Sequence, residues 1–220
     1  MKNIILSVLI VTFAIIVTFS LGIANSGTEP EFKPHFKNIP IKTEMGNESL
    51  ASYFDVKGSQ VVIFVPGKIF DKESWYLLTE RLQQLKVASL SLDGKTKDVV
   101  LTSINVMKEM GYKKIALVGG SMGGAAILSA LEEKTDAAIN KVVVLAPYGG
   151  APIKSEKIDK FFVVAKSDRL GVYPNVKKTY IESSDPKKIL EFEGSEHAQH
   201  LFKSTYKEDL TKAIVDFITD

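Results

Sequence analysis

The sequence predicts an α/β protein, a mostly parallel central sheet with helices on both faces, behind an N-terminal hydrophobic segment. Three observations carry this. Short runs rich in Val, Ile and Phe lack the polar alternation of a half-exposed strand, as expected of strands buried on both faces. These runs alternate with stretches whose apolar residues recur at helical spacing, which implies right-handed crossovers between parallel strands. The 220 residues are 45% hydrophobic and 25% charged, the make-up of one globular domain with a good-sized core.

The elements follow in order. From Ile4 to Ala24 there is no charged side chain, and Lys2 is the only one before Glu29. A helix crossing a bilayer core needs roughly 20 apolar residues, so residues 1–24 read as a signal peptide or an uncleaved membrane anchor. Lys2 supplies a basic start and Gly22-Ile23-Ala24 the small residues of a cleavage site; the length of the run suits an anchor. Either way the rest of the chain is expected outside the cytoplasm, secreted or membrane-anchored. Residues 25–38, with Pro30 and Pro34 among mixed charges, read as a linker that includes a solvated His35. The folded domain is expected over 39–220.

Ile39–Met45 and Ser49–Val56 flank Gly46-Asn47-Glu48 as an antiparallel hairpin. Gln60–Val65 is a buried strand. Asp71–Leu85 is a helix with Trp75, Leu78, Leu82 and Leu85 on one side. Val87–Leu92 is a strand, and Lys97–Met110 a helix stopped by Gly111. Lys114–Val118, Lys141–Leu145, Phe161–Ala165 and Lys188–Phe192 are further strands. Met122–Glu133 and Tyr206–Ile218 are helices. There is no internal repeat.

Composition removes several functions. The net charge of +2 comes from interleaved lysines and acids with no basic stripe, which argues against a nucleic-acid partner. Without cysteine there is no disulfide, thiolate nucleophile or Cys-based zinc site.

The strongest motif is Gly119-Gly120-Ser121-Met122-Gly123-Gly124, directly after the strand ending at Val118. Gly-x-Ser-x-Gly spacing puts a serine on a sharp strand-to-helix turn with its hydroxyl projecting from the sheet edge. Small residues two before and two after are needed because strand and helix backbones pass close there. A dinucleotide fingerprint does not fit, because Ser121 and Met122 occupy places that need glycine. Asp93-Gly94-Lys95-Thr96 lacks the upstream glycine of a phosphate loop, where Ser89 stands.

On these residues the chain resembles the α/β-hydrolase family over nearly everything after residue 39. That family's order is serine, acid, histidine. Phe161–Ala165 followed by Lys166-Ser167-Asp168-Arg169 resembles its acid loop, and Gly194-Ser195-Glu196-His197 its histidine loop. The resemblance implies Ser121 as nucleophile, His197 as base and Asp168 as the acid that orients it. It also implies an oxyanion hole from the amides of Met122 and Lys68, with Gly67 allowing close backbone approach. Pro66 stands where many members have histidine. Asp159 and Asp185 rival Asp168, but neither directly follows a buried strand. His200, three residues after His197, raises a metal site, but no convincing third ligand accompanies the pair. His200 therefore reads as a surface or supporting residue, and no metal or cofactor is expected.

The chemistry needs these types. A serine hydroxyl is a poor nucleophile until a base takes its proton, and histidine does so near neutral pH. The expected activity is cleavage of a carboxylic ester or thioester of a small molecule through an acyl-enzyme. A catalytically silent binding module at the membrane and a peptidase of the same fold are the alternatives. The stretch from Ala146 to Lys160 is too short for a lid domain, so the cleft is expected open, with Ile69, Phe70 and Tyr148 as walls. The Lys68 side chain is either solvated or turned toward an anionic substrate.

Overall fold

The computed structural model describes residues 34–133 and 136–220. The expected leader (1–24) and the linker up to residue 33 lie outside the described residues. Eight strands form one sheet: β1 (Lys37–Lys42), β2 (Glu48–Phe54), β3 (Gln60–Val65), β4 (Ala88–Leu92), β5 (Lys114–Gly120), β6 (Ile139–Leu145), β7 (Asp159–Ala165) and β8 (Lys187–Phe192). Their spatial order is β1-β2-β4-β3-β5-β6-β7-β8. β1 and β2 pair antiparallel, as do β2 and β4; every other pair is parallel. β1 begins two residues before the expected hairpin, at Lys37. Ahead of it, the backbone of His35 is held at both polar groups by Gln83, N–H to Oε1 at 3.1 Å and C=O from Nε2 at 2.8 Å.

The continuous apolar runs do what their pattern requires. In β3, Val61 to Val65 are completely buried, as are Val142 to Leu145 in β6. Five α-helices cover them: α1 (Tyr76–Gln84), α2 (Lys97–Glu109), α3 (Met122–Glu133), α4 (Tyr173–Glu182) and α5 (Lys207–Thr219). α2 packs on α3 and α1 packs on α5, which puts helices on both faces. The Thr96 side chain accepts from the Val99 amide to start α2, and Gly111, at φ +97°, ends it.

Two departures from the sequence reading have local causes. The helix expected over 71–85 opens as a 3₁₀ turn, Lys72–Trp75, and becomes α-helical only at Tyr76. That turn drops Trp75 onto Phe64, with ring centroids 5.4 Å apart, and leaves both buried. α4 was not anticipated because its sequence hardly shows a buried stripe: Val176 is its one fully buried side chain. It packs on β7 and β8 as their crossover. Residues 146–158, between β6 and β7, contain turns and no helix or strand.

Phe64→Ala, which empties the β3–Trp75 contact, is expected to destabilise the fold by about 3–5 kcal/mol. Ile181→Ala, at a side chain 65% exposed on α4, is expected to stay within about 0.5 kcal/mol of the parent. Denaturant titrations of the two variants check this.

Candidate active site

All the candidate site residues come from loops at the carboxyl ends of parallel strands, where open α/β sheets gather their ligands. Ser121 follows β5, Tyr148 follows β6, Asp168 follows β7 and His197 follows β8, while Gly67 to Phe70 follow β3. Asp159 and Asp185 are excluded from this edge by topology. Asp159 opens β7 and Asp185 precedes β8, so both stand at the opposite, amino-terminal end of the strands.

Ser121 has φ +50°, the left-handed region that favours glycine. The strain is held from several sides. Its N–H donates to Leu145 O at 2.9 Å, and its carbonyl accepts from Tyr148 N–H at 3.1 Å and Ala125 N–H at 3.0 Å. The glycines around it are steric necessities. A Cβ on Gly123 would stand 2.3 Å from Val65 O, and one on Gly119 would stand 2.8 Å from Gly123 O. With both glycines, α3 starts hard against the ends of β3 and β5.

His197 and Asp168 are each only 5% exposed. Nδ1 of His197 lies 2.8 Å from Asp168 Oδ2, and Nε2 lies 2.8 Å from Ser121 Oγ. A carboxylate only accepts, so Nδ1 carries the hydrogen and Nε2 is left as acceptor for the serine hydroxyl. The second Asp168 oxygen, Oδ1, accepts from Leu170 N–H at 2.9 Å. The loops are tied together by Ser167 N–H to Gly194 O (3.1 Å) and Arg169 N–H to Ser195 O (3.0 Å). The structure thus brings Ser121, His197 and Asp168 into one hydrogen-bonded line.

Gln199 is a residue the sequence reading missed. Its side chain is buried, accepts from Gly67 N–H at 2.7 Å and donates to Ser74 Oγ at 2.5 Å. It therefore fixes the loop after β3 and occupies the Gly67 amide, while the amides of Lys68 and Met122 take no acceptor among the described residues. No sequence motif signals this glutamine; its position two residues after His197, in a 3₁₀ turn over Ala198–Lys203, aims it back across the site.

The cleft over Ser121 has a volume of about 680 Å³ and is lined mainly by Ile69, Phe70, Met122, Ala125, Tyr148 and Leu170, with Lys68, Arg169 and His200 at its edges. Ile69, Tyr148 and Leu170 are 74%, 66% and 53% exposed, so the cleft opens widely. Of the two readings of His200, surface or supporting residue, its surroundings fit the second. Its ring packs edge-on against Phe70, centroids 5.0 Å apart, and Nε2 is buried without a partner among the described residues. The cause is the same 3₁₀ turn, which folds the residues after His197 inward.

Two outcomes follow. Gln199→Leu strands the Gly67 amide and is expected to lower stability by about 1–3 kcal/mol, read by denaturant unfolding. Burial, reinforced by Arg169, Lys203 and His197, holds the His200 imidazole below its ordinary value of 6.5. The unfolded chain takes up a proton below pH 6.5 that the folded chain resists, so stability is lost as pH falls through that range. His200→Gln is expected to make this acid-side decline shallower, as followed by the unfolding midpoint at successive pH values.

No protein-family model matches the chain, and no curated protein matches it. Solved structures do. The chain is similar to an esterase from Pyrococcus furiosus at 16% identity and TM-score 0.71, covering 84% of this chain and 92% of that one. It is similar to a dienelactone hydrolase from Anabaena variabilis at 15% identity and TM-score 0.70, covering 86% and 98%. An esterase from Exiguobacterium antarcticum aligns at 11% identity and TM-score 0.68, covering 84% and 100%. With its sheet order and these neighbours, the chain has the α/β-hydrolase fold.

Proposed function

We propose that this protein is a serine hydrolase that cleaves a carboxylic ester or thioester of a small molecule through an acyl-enzyme on Ser121. The observation that carries the reading is the double contact of His197, 2.8 Å to the serine hydroxyl on one side and 2.8 Å to the Asp168 carboxylate on the other. The esterase and hydrolase character of the structural neighbours points the same way.

In this reading His197 Nε2 takes the Ser121 proton as Oγ attacks the substrate carbonyl carbon. The buried Asp168 holds the imidazole tautomer and stabilises the imidazolium as it forms. The oxyanion draws on the Met122 amide at the start of α3 and the Lys68 amide after β3, both without competing acceptors among the described residues. The imidazolium then returns the proton to the departing alcohol or thiol. Water, deprotonated by the same nitrogen, attacks the acyl carbon and releases the acid, restoring Ser121. The open cleft suits modest selectivity among acyl groups. The apolar run of residues 4–24 supports a secreted or membrane-anchored enzyme working outside the cytoplasm, with contact to the membrane through that segment if it stays uncleaved.

A fluorophosphonate probe, applied to the parent and to Ser121→Ala, tests the nucleophile. Labelling is expected in the parent alone, and Ser121→Ala is expected to lower ester turnover on the order of a thousandfold or more without unfolding. Asp168→Asn is expected to be severely slow, because the imidazole then favours the wrong tautomer. A well-folded parent that neither labels nor turns over an ester would make the chain a silent binding module. Turnover of peptides in preference to esters would make it a peptidase.

A further inference from the structure

The electrostatics of the cleft are one-sided. Lys68 stands on the loop after β3 and Arg169 on the loop after β7, so the two cations flank Ser121 on opposite sides along the sheet edge. Neither takes part in an ion pair among the described residues, although Lys72, Lys97, Lys108, Lys166 and Lys177 all do. Arg169 is also one of just two arginines among the chain's 28 cationic residues, the other being Arg81. Arginine's planar fork suits a carboxylate or phosphate better than a lysine does.

Among the described residues no carboxylate lines the cleft to neutralise them. Asp168 is buried behind His197 and occupied by it and by the Leu170 amide. Glu196 is bonded to the Ser195 amide and faces a separate groove shared with Glu193. Lys203 lies in that separate groove with the two glutamates, its ammonium 5.7 Å from the Phe70 ring. Apart from Ser121, Tyr148 and the two histidines, the rest of the lining is apolar.

Resting on the serine-hydrolase reading above, we infer that the preferred substrates are esters with an apolar body that carries a carboxylate or phosphate, bound by Arg169 with Lys68 across the mouth. Ile69, Met122 and Leu170 take the apolar part, and Arg169 acts as the recognition residue for the anion. The anion belongs to a soluble ester or to a lipid headgroup, two sources that share this chemistry.

Two matched pairs of substrates test it with the full-length protein. In the soluble pair, the p-nitrophenyl half-ester of adipic acid competes with p-nitrophenyl hexanoate. In the lipid pair, a monoacylglycerol phosphate competes with the matching monoacylglycerol. A higher kcat/KM for the anionic member of either pair is expected, and the pair that shows it identifies the source. Arg169→Gln is expected to lower that preference about tenfold, the low end for a hydrogen bond to a charged group at an exposed site. The change should fall mainly on KM, whereas a loosened acid loop would lower kcat for both members. Arg169→Lys should recover part of it, and added salt should narrow it in the parent. Equal or better turnover of both neutral members, by a protein whose Ser121 reacts with the fluorophosphonate probe in a separate sample, overturns this inference and leaves the hydrolase reading intact. Absence of labelling and of all turnover removes both.

Discussion

At Gly123 the first turn of α3 runs so close to the end of β3 that a single added methyl group would meet the Val65 and Pro66 carbonyls at 2.3 and 2.6 Å. The rest of the site depends on this approach. It brings the start of α3 beside the loop after β3, so that the Met122 and Lys68 amides edge the same cleft. It leaves the chain no room to turn gradually from β5 into α3, so Ser121 takes up the whole change of direction in one left-handed residue. A hydroxyl mounted that way projects beyond the strand ends, where the His197 side chain reaches it.

The Asp168 and His197 loops are anchored independently of the turn at Ser121. The sheet aligns β7 and β8 in parallel register, from Lys160 opposite Lys187 to Ala165 opposite Phe192. Backbone bonds from Ser167 and Arg169 to Gly194 and Ser195 continue that pairing past the strand ends. The result is that Asp168 and His197 meet by an extension of β-sheet geometry. Gln199 then links the His197 loop to the loop after β3 through the Gly67 amide. Rigid strands set the spacing and buried polar contacts set the angles, the combination a preorganised constellation requires.

How much of this was legible in the sequence depended on the range of the interactions. β3 and α3 coincide with their sequence bounds because each is a local pattern, an unbroken β-branched run and a helix begun beside a Gly-rich turn. Ser121 is legible in a local Gly-x-Ser-x-Gly motif, and Asp168 and His197 through the resemblance of their loops to those of the α/β-hydrolase family. α4 is not, since burying Val176 alone leaves almost no periodic stripe. Gln199 and His200 were illegible for a different reason. Their roles depend on contacts with Gly67, Ser74 and Phe70, more than a hundred positions away, and on a 3₁₀ turn that carries no strong capping signal.

The departures from ordinary folding economy are not scattered. Among the described residues four non-glycine positions have φ in the left-handed region, and three of them, Ser121, Ala146 and Ala198, follow strands or loops that end at the cleft. The buried but unpartnered Nε2 of His200 is there too, as are the exposed side chains of Ile69, Met122, Tyr148 and Leu170. Each feature alone has a bland explanation, because surfaces carry scattered apolar groups and helix ends tolerate odd backbone. Their convergence on one edge of the sheet does not. Strain and exposed apolar surface persist where surrounding structure over-determines them, and here the over-determining structure is the sheet together with the Gly119–Gly123 packing. A fold otherwise filled with fully buried Val, Ile and Phe has the stability to hold such a surface, and it holds it around one serine.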